Sequence, residues 1–381
     1  MANQKIKMGM IGGGTGAFIG DTHRKSALSS GQFELIGGIF SSDNSRSLEF
    51  ARKEGFDLKR CYKNVEELIA GETALSEEER MQLIAVVTPN ASHFPIIKEL
   101  IAHQFHVMCE KPMTLNVDEA KVIEDLVRDN DITFALAHTY TGYPMVRQMR
   151  ALVEKGLLGE IQRIDAQYYQ GWINSIIHGN ETRIKGVWRL NPEVAGASCC
   201  MGDIGVHAFN LIEYITGLNV QEVLADLNTI REDISLDLDG TVLLRFTEKL
   251  KGVIRATQVA GGVENDLNIG IYGSKASLKW SQENPNHLYL LTDNEPARIY
   301  KPGNSYNSDL CELGQTMPAG HPEGIYEALA NIYKGIAKSI RKEQFAHGEF
   351  PTVHDGVRGM QFIHAVIKSN RTNNTWVNIE N

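Results

Sequence analysis

The sequence predicts an α/β chain. A doubly wound parallel sheet spans residues 1–142, and an α+β domain with a mostly antiparallel sheet spans residues 143–381. Three observations carry this. Apolar runs alternate with helical patterns through residue ~140, as parallel strands with crossover helices require. A glycine cluster, "GMIGGGTGAFIG", follows the first apolar run directly. After "TYTGYP" the pattern switches to β-rich segments in direct succession, which implies antiparallel pairing. A length of 381 residues exceeds one ordinary core and suits two domains.

In order, "KIKMGMI" is the first strand and "HRKSALSS" lies in the helix after it. "FELIGGIF" is the second strand; Ser45 opens and Gly55 closes the next helix, "SRSLEFARKEG". "CYKNVEELIAGE" reads as a short strand and a helix, and "ETALSEEERM" as an acidic insertion with a solvated face. "QLIAVVTPN", "HVMCEKP" and "ITFALAH" then count as strands four, five and six, separated by "HFPIIKELIAHQ" and "NVDEAKVIEDLVRDND". Beyond them come the helix "MVRQMRALVEKG" and the long β segments. Among these "RFTEKLKGVIRA" reads as a hairpin turning at Lys249–Gly252. Two amphipathic helices, "EGIYEALANIYKGIAKSIRKEQ" and "HDGVRGMQFIHAVIKSN", pack on one face of a sheet.

A formal net charge of −9 gives no support to nucleic-acid or anionic-membrane binding, which need a basic surface. No apolar run reaches the length of a membrane span, and glycine interrupts the first apolar segment before it can serve as a signal-peptide core. The five cysteines, Cys61, Cys109, Cys199, Cys200 and Cys311, show no metal-ligand spacing. The expectation is a cytoplasmic, metal-free chain with free thiols.

In a βα turn of the form G-x-G-x-x-G, the first glycine permits the tight turn and the second lets backbone approach a pyrophosphate. The third allows close helix packing. Gly12 and Gly14 take the first two places; the third falls on Ala17, with Gly20 three residues later and Gly16 inside the added piece. Strand, turn and helix in this order predict a dinucleotide on the helix N-terminus. A carboxylate at the end of the second strand would bind the adenosine ribose and repel a 2′-phosphate. Here the strand ends "GIFSSDNSR": Ser41, Ser42 and Arg46 admit a 2′-phosphate, while Asp43 can reach the ribose, so NAD and NADP both remain open.

The glycine turn, "TPNASHFP", "CEKP" and "GDIGVHAFN", in this order and separation, resemble the Gfo/Idh/MocA family of oxidoreductases over nearly the whole chain. The resemblance implies a Rossmann domain followed by an open-sheet domain that carries substrate and a homo-oligomer interface. It places cofactor contacts at Gly12, Gly14, Ser41, Thr88, Asn90, His93 and Glu110. The family's lysine, aspartate and histidine would be Lys111, Asp203 and His207.

Residue chemistry fits that implication. Oxidising an alcohol moves a hydride to nicotinamide and leaves a proton for the protein to manage. Imidazole titrates in the useful range, so His207 suits the base. Asp203 lies four residues before it on the same expected helix, able to orient the ring or bind a substrate hydroxyl. Lys111 follows a parallel strand, at the edge where such sheets bind ligands, and its ammonium can stabilise alkoxide character. Either Lys111 or His207 can take the proton. A sugar or polyol substrate calls for aromatic and polar partners, for which Tyr143, Trp172, Trp188, Arg189 and the loop residue His321 are candidates, with Arg147 nearby in sequence. The expected activity is an NAD(P)-dependent dehydrogenase acting on a secondary alcohol of a sugar, glycoside or cyclitol. The rivals are an NAD-dependent glycoside hydrolase working by transient oxidation and a non-catalytic dinucleotide-binding sensor.

Overall fold

The computed structural model describes residues 4–178 and 186–379. The chain divides into two compact units, each treated separately. The first runs through Thr114 and adds Asp118–Gly142 and Gly324–Val357; the second comprises Leu115–Val117, Tyr143–Glu323 and the chain from Arg358 onward.

The first unit is built on a five-stranded parallel sheet: β1 (Ile6–Gly12), β2 (Phe33–Ile39), β3 (Leu83–Val87), β4 (His106–Cys109) and β5 (Phe134–Leu136). Their order is β2-β1-β3-β4-β5, so the chain reverses direction across the sheet between β1 and β3. Every residue of β3 is buried, which explains its unbroken apolar run. Parallel pairing sends the segments after β1, β2, β3 and β4 off the same edge of the sheet. That edge, at the switch point, is where folds of this class bind ligands.

Four expectations change here. "CYKN" forms no strand: Cys61 makes a single parallel bridge to Gly38, so the sheet has five strands and not six. The helix after β1 starts earlier than expected and covers Phe18–Ser29. Glu72, placed in the solvated insertion, is completely buried. It receives two hydrogen bonds from Arg60, one from the Tyr62 hydroxyl and one from the Met81 amide. Its neighbours Glu77–Glu79 are exposed. Finally, the helix Ile325–Ile340, assigned from sequence to the 143–381 domain, belongs to the first unit. It does pack on a sheet face, but that of the parallel sheet: Leu329, Ile332, Tyr333 and Ile336 share a core with Met8, Met10, Phe33 and Leu83.

The second unit holds a nine-stranded sheet. Its strands are β6 (Ile161–Tyr169), β7 (Glu222–Asn228), β8 (Asp239–Arg245), β9 (Lys251–Thr257), β10 (Asp266–Gly273), β11 (Ser277–Ser281), β12 (Leu288–Leu291), β13 (Arg298–Tyr300) and β14 (Val377–Asn378). The order is β13-β12-β11-β10-β6-β9-β8-β7-β14, and β6 with β9 is the parallel pair within an otherwise antiparallel sheet. The β8–β9 hairpin forms as expected but turns at 246–250, where Phe246 N–H donates to Leu250 O; Gly252 lies inside β9. No helix among the described residues is long and apolar enough to cross a membrane.

Candidate active site

In the first unit the glycine turn leaves β1 with Gly12 at φ +92° and Gly13 at φ +72°, conformations that disfavour side chains. A Cβ on Gly12 would lie 2.8 Å from Val87 O, and one on Gly14 would run into Phe40 O. The turn is therefore pressed against the ends of both neighbouring strands. Ala17 precedes the helix and gives it no side-chain cap, so the first-turn amides are left for an anion. A cleft of about 380 Å³ beside the turn is lined by Gly14, Thr15 and Gly16, with Arg24 and Lys53 beside Asp21 and Glu54. These features fit a bound pyrophosphate.

At the end of β2, Ser41 Oγ accepts from Asp43 N–H (3.1 Å). Asp43 caps the helix Asn44–Glu54 by accepting from the Ser45 and Arg46 amides at 2.8 and 3.1 Å. The carboxylate considered for the ribose is thus engaged as a cap. Ser42 and Arg46 are exposed, and Ser41 is half-buried. After β3, Thr88 Oγ1 accepts from Ser92 (2.7 Å), and Asn90 is buried. His93, expected to touch the nucleotide, is completely buried. Its ring nitrogens face Thr88 O (2.8 Å) and Pro112 O (3.0 Å), so it braces the loop after β3 against the one after β4. Burial pushes its pKa down, so the neutral ring donates to one carbonyl at a time.

After β4 come Glu110 and Lys111, followed by a cis bond to Pro112. Glu110 accepts from the Lys111 amide (3.1 Å) and faces His23 Nε2 (3.0 Å). Burial pushes the Glu110 carboxyl up, but the His23 hydrogen bond and the nearby charges more than offset it and hold it low. His138, buried behind this turn, has its pKa pushed down to about 4, chiefly by burial.

In the second unit the expected helix opens with one wide π-type turn, Met201–Gly205, before continuing as Val206–Thr216 and ending at Gly217 in the left-handed region. Asp203 sits in the wide turn and His207 just after it, so their register differs from that of an unbroken α-helix. The buried Asp237 carboxylate anchors the turn, accepting from the Cys199 and Met201 amides at 3.0 and 2.8 Å.

Asp203 Oδ2 accepts from Gln258 Nε2 (2.9 Å) and pairs with Arg189 Nε (3.2 Å). The Arg189 guanidinium lies over Trp188 at 4.5 Å and over Trp172 at 5.9 Å. Trp172 donates to Gln170 Oε1 (3.1 Å), and Gln170 and the Tyr168 hydroxyl both donate to Asn265 Oδ1. The Tyr168 ring stands 6.3 Å from that of His207. Four of the sequence candidates, Asp203, Arg189, Trp172 and Trp188, are therefore linked directly. His207 adjoins the same polar network through Tyr168. Such a network offers hydroxyl partners beside aromatic faces.

Two candidates fall elsewhere. Tyr143 is 1% exposed and packs against Trp280 at 5.5 Å, so core packing accounts for it; Arg147, one helical turn on, is also fully buried. His321 is exposed and turns its ring toward its own loop, 3.3 Å from Pro318 O and Ala319 O. Sequence reasoning missed Gln258, Tyr168 and Asn265, which lie on strands or strand ends with no motif of their own.

Residues 6–138 match the model of an oxidoreductase family with an NAD-binding Rossmann fold, and residues 146–279 match the Gfo/Idh/MocA C-terminal domain. The chain belongs to the Gfo/Idh/MocA family. A crystallised oxidoreductase from Sinorhizobium meliloti is 34% identical, with 98% of this chain and 100% of that one covered and a TM-score of 0.88. An inositol dehydrogenase homologue from Azotobacter vinelandii in complex with NAD+ is 29% identical, with 99% and 100% covered and a TM-score of 0.92. An inositol dehydrogenase homologue from Azotobacter vinelandii has also been crystallised with NADH and myo-inositol. Levoglucosan dehydrogenase of Pseudarthrobacter phenanthrenivorans is 22% identical over 99% of this chain and 98% of its own. This Gfo/Idh/MocA member is accordingly a nicotinamide-dependent oxidoreductase.

Proposed function

We propose that this oxidoreductase is a dehydrogenase of a secondary alcohol in a sugar, glycoside or cyclitol, with Lys111, Asp203 and His207 as its working groups. The observation that carries the reading is the edge of the parallel sheet. It presents a glycine turn fit for pyrophosphate after β1 and, two strands over across β3, the Glu110–Lys111 pair after β4. The polar and aromatic network around Asp203 and His207 supports a hydroxyl-rich substrate. So do the myo-inositol and levoglucosan of its relatives.

Nicotinamide, when bound, supplies the hydride acceptor. Lys111 hydrogen-bonds the reacting oxygen and stabilises its alkoxide character; Asp203 orients a hydroxyl; His207 or Lys111 accepts the proton. Trp172, Trp188 and Arg189 contact the substrate ring, and Gly12, Gly14, Gly16, Ser41, Thr88, Asn90 and Glu110 surround the dinucleotide.

The test is a cofactor-reduction screen at about 340 nm over cyclitols, monosaccharides and glycosides with both nicotinamides. Turnover with a polyol is expected, and Lys111→Ala should cost at least about 10²-fold in kcat with dinucleotide affinity retained. Glycoside cleavage without net reduction would replace the dehydrogenase with a hydrolase. Dinucleotide binding without turnover on any of these substrates would point to a sensor. Unchanged turnover in the Lys111 variant would remove the lysine's role.

A further inference from the structure

Behind the Glu110–Lys111 turn lies a buried polar chain that the reaction scheme leaves unused. His23 Nδ1 stands 2.7 Å from the Tyr333 hydroxyl, and His23 Nε2 stands 3.0 Å from Glu110 Oε1. Glu110 Oε2 in turn accepts from the Lys111 amide at 3.1 Å. His23 and Tyr333 are both 0% exposed, so their polar atoms must find partners within the protein, and Glu110 is 8% exposed. The directions follow from donor inventory. A carboxylate only accepts, so the ring nitrogen facing Glu110 carries a proton; in the neutral ring Nδ1 then accepts from Tyr333. Both carboxylate oxygens are thus held, one by a side chain from the helix Phe18–Ser29 and one by the lysine's own amide.

The next residue on that helix faces the other turn. Arg24 donates to Gly13 O at 2.6 Å and spans to Asp21 at 3.2 Å. His23 and Arg24 therefore tie one helix to both the glycine turn and the lysine turn. We infer that His23 and Tyr333 are positioning residues for Lys111, acting through the Glu110 carboxylate, and that the helix Phe18–Ser29 sets the lysine relative to the dinucleotide. The inference rests on the dehydrogenase reading for its consequence in turnover, but not for its geometry.

Two substitutions at one position separate positioning from packing. In His23→Gln the side-chain amide reaches the place of Nε2 and keeps the donor to Glu110. In His23→Asn the amide reaches only the place of Nδ1 and loses that donor. The expected result is that His23→Asn lowers kcat about 10-fold or more with KM for the nicotinamide little changed, while His23→Gln restores most of it. Equal effects of the two variants, or an unchanged kcat in His23→Asn, overturn the inference. If His23→Asn does not fold, Tyr333→Phe decides: a kcat loss of about threefold supports it, and an unchanged kcat overturns it.

Two readouts need no turnover. Long-range 15N–1H spectra of the cofactor-free protein should show a proton on His23 Nε2; its absence overturns the inference. Competitive trace acylation of the folded variants should alter the Lys111 rate in His23→Asn and leave it near parent in His23→Gln; equal rates in all three proteins overturn it. A parent protein that reduces no nicotinamide sinks the dehydrogenase reading and leaves these two results standing.

Discussion

Gly13 and Gly20 meet backbone to backbone: a Cβ on Gly13 would stand 2.8 Å from the Gly20 Cα, and one on Gly20 would overlap the Gly13 backbone. The close packing expected of a third fingerprint glycine thus falls to Gly20, in the first turn of its helix, and not to Ala17 just before it. Gly20→Ala should force the turn and helix apart. About 1–3 kcal/mol of stability should be lost, with at least a tenfold loss in dinucleotide affinity. Chemical denaturation and a fluorescence titration check both. A variant that binds as tightly as the parent would show that this contact does not shape the turn.

The parallel sheet and the glycine turn were legible because their signals are local: alternation, a both-faces apolar run, and glycine where backbones must touch. What escaped depends on distant partners. Glu72 looked like one more carboxylate in an acidic stretch, since the Arg60 and Tyr62 that bury it lie outside the segment. The amphipathic stripe of Ile325–Ile340 announced a sheet face without naming which sheet. Tyr333 and His23 are 310 residues apart, and no spacing rule joins them. The wide turn at Met201–Gly205 is anchored by Asp237 from another segment, so the motif around Asp203 read as plain α-helix.

Cofactor choice can be read at the end of β2. With Asp43 committed to its cap, Ser42 and Arg46 are exposed and Ser41 is half-buried, which leaves them available for the proposed contact with the ribose. Arg46→Ala should weaken NADP binding by about fivefold and leave NAD unchanged, the modest size following from an exposed charge in water. Ser41→Asp should exclude NADP by repulsion. Titrations with both nicotinamides measure the ratio, and a ratio unmoved by Arg46→Ala would clear that arginine of any part in the choice.

Acid stability should depend on His106. Its Nδ1 accepts from the Thr133 amide at 2.9 Å, which only an unprotonated nitrogen can do. Burial, with the Arg80 charge assisting, pushes its pKa down to about 4 in the folded protein. The unfolded chain, with a histidine pKa near ~6.5, therefore binds a proton first as pH falls. Stability is fully present above that value, falls through the window down to about 4, and levels below it; the His106 share is on the order of 3 kcal/mol. Denaturation midpoints across that window should drop more steeply for the parent than for His106→Gln, which has no such titration. Parallel curves would assign the acid limb to other groups, His138 first among them.

Gln258 offers the sharpest test in the second unit. It is fully buried; its Oε1 accepts from the Cys199 thiol (3.2 Å) while its Nε2 donates to Asp203 Oδ2 (2.9 Å). Arg189, whose guanidinium lies over Trp172 and Trp188, pairs with the same oxygen at 3.2 Å. Gln258→Ala removes the hydrogen bond to Oδ2, so Asp203 should lose the orientation its proposed role needs. The expected cost is about tenfold in kcat with nucleotide affinity unchanged, since the change lies in the unit that carries no dinucleotide turn. Gln258→Glu should be worse, because it adds a buried like charge beside Asp203. If Gln258→Ala turns over at the parent rate, Asp203 needs no restraint from Gln258 for its role.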